Sequence, residues 1–100
     1  MIRLIAFATA LAASILLHDA AAAADSCLTP DQRRAAIQNR KAVPLGRAVR
    51  TAKARHAGDL LNARLCRHGK GLVYVLTVLA RDGKVMHLRV DADNGNYIEN

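Results

Sequence analysis

A chain of 100 residues, 52% of them apolar, has room for one domain around one small core, and nothing in it marks a linker to a second. The net charge of +7 points to a polyanion or an acidic face as partner. Aromatic content of 3% withholds the stacking platform that nucleic-acid binding uses.

The chain begins with Arg3, an apolar run from Leu4 to Leu17, then His18, Asp19 and an alanine tract ending at Ala22-Ala23-Ala24. Basic start, apolar stretch and small-residue cut site together read as a secretory signal peptide cleaved after Ala24. The run of about 14 residues is short of the roughly 20 needed to span a membrane. An uncleaved anchor is the alternative, and His18 and Asp19 argue against it. Asp25, two residues before Cys27, argues against a lipid-modified cysteine. Cleavage leaves 76 residues with the same net charge, because Arg3 and Asp19 leave together. The expected location is periplasmic or secreted.

Both cysteines, Cys27 and Cys66, lie beyond the cut. Export favours a bridge between them over two free thiols or a link to another molecule. Such a bridge closes a loop of about 40 residues, worth about 4 kcal/mol in the chain-entropy account.

Thr29-Pro30-Asp31-Gln32 starts a first helix, expected over Pro30 to about Lys41: Thr29 caps, Pro30 suits the first position and Gln32 completes a capping box. Its apolar content is thin, with Ala35, Ala36 and Ile37. Val43-Pro44-Leu45 opens a second helix, whose Leu45, Ala48, Val49 and Ala52 form a narrow apolar stripe. Gly58 is its expected stop.

From Asp59 the period changes to two. Strands are expected over Leu60–Arg67, Leu72–Leu79 and Val85–Asp91, joined by His68-Gly69-Lys70-Gly71 and by the Asp82-Gly83 hairpin signal. Asn94-Gly95 marks a further turn, after which Tyr97-Ile98 can start a short terminal strand. The order predicts an α+β fold: two N-terminal helices and a three-stranded antiparallel meander sheet with one disulfide. The expected organisation is a leader over 1–24, a helical extension over 25–42 and a domain over 43–100.

Alternation assigns Leu61, Ala63 and Leu65 to the inner face, with Tyr74, Leu76, Val78, Met86, Leu88 and Val90. Cys66 then falls on the back, where Val73, Val75 and Leu79 make an apolar strip. An uncovered strip of this kind is costly, so the first helix is expected to cross it, pinned by the disulfide. The alternative is that Val73, Val75 and Leu79 receive a partner or a second copy.

Val43-Pro44-Leu45, Gly58 to Leu65, Gly71-Leu72-Val73-Tyr74-Val75-Leu76-Thr77-Val78, Asp82-Gly83-Lys84 and Val90-Asp91-Ala92-Asp93-Asn94-Gly95, in that order and spacing, resemble the PepSY domain over residues 43–98. The resemblance implies a helix packed on an antiparallel sheet. PepSY domains occur in propeptides of thermolysin-like metallopeptidases and in small exported bacterial proteins, and are proposed to modulate peptidases of the cell envelope. The family supplies no catalytic residue to carry over. This chain departs from it in the extension carrying Cys27, and a role without an attached peptidase is expected.

No catalytic set stands out. Asp91 and Asp93 precede Asn94-Gly95 and are explained as turn formers. The same stretch lacks the later glutamate and full spacing of a calcium loop. Cys66, if bridged, offers no thiolate to His68. His56, His68 and His87 have no metal-ligand spacing. No enzyme activity, metal or cofactor is expected. The leading expectation is an exported PepSY-type binding or regulatory module, acting on an envelope protein with a peptidase among the candidates, as a monomer or weak dimer. The alternative is a basic binder of anionic lipid or glycan through Arg33, Arg34, Arg40, Lys41, Arg47 and Arg50.

Overall fold

The structure, a computed structural model, describes residues 26–99. The expected leader lies outside them. Two helices, α1 (Pro30–Gln38) and α2 (Leu45–Arg55), precede strands β1 (Asp59–His68), β2 (Gly71–Leu79), β3 (Val85–Asp91) and β4 (Tyr97–Ile98). The strands form one antiparallel sheet in chain order, so the expected three-stranded meander gains a fourth, two-residue strand.

The capping box forms as the sequence predicts: the Thr29 hydroxyl accepts from the Gln32 amide at 3.1 Å, and the Gln32 side chain accepts from the Thr29 amide at 2.9 Å. The helix ends at Gln38 rather than near Lys41. Arg40 sits in the left-handed region at φ 59°. The Lys41 amide donates to Ala36 at 2.8 Å and the Arg40 amide to Ile37 at 3.1 Å. This pair of bonds is a Schellman stop, with arginine where glycine is usual.

A connector carries the chain from α1 to α2. The Val43 amide donates to the Ala92 carbonyl at 2.8 Å, and the Tyr74 hydroxyl donates to the Val43 carbonyl at 2.6 Å. In α2, Ala48 and Ala52 are fully buried and Leu45 and Val49 partly so. Small side chains there let the helix lie close on β2 and β3. Gly58 then passes hard against the end of β2: a Cβ on it would stand 2.4 Å from the Leu79 oxygen and 2.8 Å from Val78 Cγ1. Only glycine fits that approach.

Tyr74, Leu65, Leu76, Val78 and Val90 are the largest fully buried side chains. They meet Ala48, Ala52, Leu88 and Ala92 in one cluster, which Ala36 and Ala42 join from the extension.

Two further expectations fail. Leu61 is not an inward residue of β1. Pairing runs Leu60↔Val78 and then Asn62↔Thr77, so a bulge leaves Leu61 unpaired and 55% exposed. The extra residue shifts the alternation by one, and Leu60 takes the inner position. Nor does the first helix cross the back of the sheet. Its buried Ala36 and half-buried Ile37 belong to the cluster around Tyr74, on the side α2 covers. Both helices therefore lie on one face. The disulfide does form between Cys27 and Cys66, but it ties the chain at the β1 edge instead of drawing a helix over the back. There the Leu28 amide donates to Leu65 and the Arg67 amide to Ser26, at 2.8 and 2.9 Å.

Candidate functional site

The face that carries no helix among the described residues is built by register. β2 presents Val73, Val75, Thr77 and Leu79 to it, because Tyr74, Leu76 and Val78 point into the core. Cross-strand partners follow from the pairing. Val75 lies between Arg64 and Arg89, Thr77 between Asn62 and His87, and Leu79 between Asp59 and Val85. Val73 lies between Cys66 and Asp91, and both it and Cys66 are buried. Val73 is thus unavailable to a partner. Val75, Thr77 and Leu79 are half-buried, and Val85, like Leu61 in the bulge, is 55% exposed.

The charged neighbours of Val75 carry the electrostatics. Arg64 and Arg89 form no ion pair or side-chain hydrogen bond among the described residues. Two unpaired guanidinium groups flanking an aliphatic side chain suit a ligand with carboxylates on either side of an apolar contact. The Thr77 hydroxyl and His87 Nδ1 stand 3.3 Å apart, one row from Val75.

The two sheet edges differ. Beside β1, residues 26–28 pair with Leu65 and Arg67. The Arg33 guanidinium donates to the Ala63 carbonyl at 3.2 Å, and the bulge interrupts the rest. These devices discourage strand addition. β4 covers β3 only at Arg89 and Val90.

The six basic residues expected to form an anion-binding surface are dispersed. Arg33 is held at Ala63. Arg34 pairs with Asp31 at 2.8 Å. Arg47 donates to the Asn94 carbonyl at 2.9 Å and lies across Gly95, where a Cβ would stand 2.8 Å from its Nε. Arg40, Lys41 and Arg50 have no such partner among the described residues. Farther along α2, Arg55 pairs with Glu99 and covers the Tyr97 ring at 4.8 Å from its centre, fastening β4.

Burial pushes the Tyr74 phenol above its ordinary pKa, and the nearby Arg33 guanidinium opposes that rise. The Asp91 carboxylate accepts from the Asp93 amide at 2.8 Å, and Asn94 accepts from the Asn96 amide at 2.8 Å. These are local turn bonds of the kind the sequence suggests. His56, His68 and His87 are exposed on separate elements. Among the described residues no group of three His, Cys, Asp or Glu side chains could hold a metal ion, and no helix is long and apolar enough to cross a membrane.

Sequence reasoning named Val73, Val75 and Leu79 but missed Arg64 and Arg89. Their positions one residue from the inward Ala63 and Leu65 of β1 and Leu88 and Val90 of β3, and so on the opposite face, were the available signal. Comparison with family models, with curated proteins and with solved structures finds no match to this chain.

Proposed function

We propose that this protein is a non-enzymatic, exported binding module that docks an acidic, partly apolar protein of the cell envelope on the helix-free face of its sheet. The observation that carries the reading is the row Arg64–Val75–Arg89, where an apolar strip in the central strand lies between two unpaired cations. Leaving such a strip in water is unfavourable without an occupant. A second copy fits less well than a different protein. A symmetric face-to-face pair centred on Val75 would set arginines against arginines.

Export rests on the leader pattern and on the Cys27–Cys66 bridge, which an oxidising compartment favours. The PepSY resemblance makes an envelope peptidase the first partner to try.

Site-specific photo-crosslinking tests the reading. A photoreactive residue at Val75 is compared with one at Arg50 on α2, in cells exporting the protein. The expected result is one dominant adduct from Val75, absent from Arg50 and lost when Arg64 and Arg89 are changed to glutamate. No adduct from Val75, or equal adducts from both positions, sinks it. Mixing the purified protein with a thermolysin-like peptidase, with and without Val75→Asp, then asks whether that partner class is the right one.

A further inference from the structure

A second feature lies on the opposite, helix-covered side of the sheet. Lys41 follows the end of α1, Arg67 lies near the end of β1, and Lys70 is in the turn between β1 and β2. The three meet around a cleft of about 310 Å³ whose apolar wall includes Leu28, Ala36 and Leu72. An adjoining hollow of about 240 Å³ shares Lys41, Lys70 and Leu72 and reaches Asp93. None of the three cations makes an ion pair or side-chain hydrogen bond among the described residues, and neither does the Asp93 side chain. Three cations against one carboxylate leave the cleft positive.

Gathering like charges without a counter-ion is unfavourable unless an anion joins them. The fold brings their backbone positions together. The Schellman stop at Arg40 turns Lys41 toward the sheet end. Arg67 stands opposite Leu72 in the β1–β2 register, and the tight turn brings Lys70 back beside them. The arginine offers a planar fork for two oxygens, and the lysines act as point charges. The apolar wall gives a simple oxyanion nothing to rest on.

We propose that this cleft binds a phosphoester carrying an apolar chain, its phosphate among Lys41, Arg67 and Lys70 and the start of its chain against Leu28, Ala36 and Leu72. The site is independent of the helix-free face, so each can be lost without the other. The same chemistry is met in a phospholipid headgroup and in a soluble alkyl phosphoester.

The test uses the purified, disulfide-bonded protein and amide chemical shifts. Octyl phosphate is titrated beside inorganic phosphate and the uncharged octyl glucoside. The expected result is movement centred on Lys41, Gly69, Lys70 and Gly71, with octyl phosphate binding about tenfold tighter than either control, a difference of about 1.4 kcal/mol. The variant Lys41→Gln/Arg67→Gln/Lys70→Gln loses that preference. The equally charge-depleted Arg50→Gln/Lys53→Gln/Arg81→Gln keeps it. All the substituted positions are exposed, so unchanged melting temperatures verify that folding is intact. Equal binding by the cleft variant, equal loss in the control variant, or shifts scattered over the surface overturns the proposal. Vesicles containing phosphatidylglycerol separate the sources. Co-sedimentation that depends on the three cations identifies a lipid headgroup, and none, with octyl phosphate still bound, identifies a soluble phosphoester.

Discussion

The two faces of the sheet share one central strand yet meet different surroundings. On the covered face, Tyr74, Leu76 and Val78 have aliphatic cross-strand neighbours, including Leu65, Ala63, Leu88 and Val90, and both helices pack there. On the other face, Val75 and Thr77 of the same strand sit among Arg64, Arg89, Asn62 and His87. Seen alone, β2 is apolar on both sides and cannot say which one is covered. The flanking strands can: a covered face is apolar across three strands, an open one only in its centre. Central-strand residues gain partial shelter from long neighbours on either side, which lowers the cost of an aliphatic strip that no helix crosses without removing it.

The disulfide is the one covalent feature that reaches the open side, so breaking it has the largest expected effect. Cys27 and Cys66 are 39 residues apart. Replacing both with alanine is expected to lower stability by about 4 kcal/mol, measured from the urea midpoint of the variant against the parent. If the contrast between faces is right, the loss has a spatial signature. Amide exchange should accelerate first over residues 26–28 and α1, while β2 and β3 stay protected. Uniform acceleration across the sheet would mean the bridge supports the whole domain rather than its leading segment.

Neighbours in β2 sharpen the contrast next. Leu76 is fully buried and Val75 half-exposed. Leu76→Ala is expected to cost about 2–5 kcal/mol through lost burial and the cavity left behind. Val75→Ala should cost under about 1 kcal/mol, and Val75 substitutions should act on partner capture instead. Similar losses at the two positions would show that the open face is sheltered in solution, for instance by a second copy. A concentration-dependent midpoint would then report that copy.

Much of this architecture is readable in the sequence. The capping box at Thr29, the alanine stripe of α2, the Asp82-Gly83 hairpin and the pairing of Cys27 with Cys66 each have a local chemical cause, and each appears. The errors share a different cause. The bulge at Leu61 depends on how β1 registers against β2, and strict alternation has no way to insert an extra residue. The end of α1 depends on Arg40 taking a left-handed conformation that composition does not announce. The side on which α1 packs depends on tertiary competition. Ala36 and Ile37 found room beside Tyr74, and a thin apolar stripe gave no reason to prefer the back. For the candidate docking face, the central aliphatic residues were legible, and alternation put Arg64 and Arg89 on the same side without giving them a role. They acquire meaning only once the register puts Val75 between them. The basic cleft was legible only at Lys41, because Arg67 and Lys70 reach it through the β1–β2 turn.

The smallest expected effect separates the two faces by pH. Among the described residues, Tyr74 is the one buried side chain whose ionisation the fold opposes: its phenol is pushed up by burial, with Arg33 acting the other way. The unfolded chain titrates a tyrosine at about 10. Between that value and the higher folded value, the unfolded state gives up a proton the folded state keeps. Stability from this group is therefore complete below about pH 10 and falls as pH rises toward the folded pKa. Tyr74→Phe removes that slope and the hydrogen bond to the Val43 carbonyl, at a cost of about 1 kcal/mol near neutrality. The measurement is a set of urea midpoints from pH 7 to 11 for parent and variant. The two curves should converge as pH rises, since only the parent is penalised in alkali. His87→Asn, on the open face, should leave the same alkaline limb untouched. Parallel curves for parent and Tyr74→Phe would mean that the phenol already meets water, and that the covered face is more open at the α1–α2 connector than Tyr74 and Val43 imply.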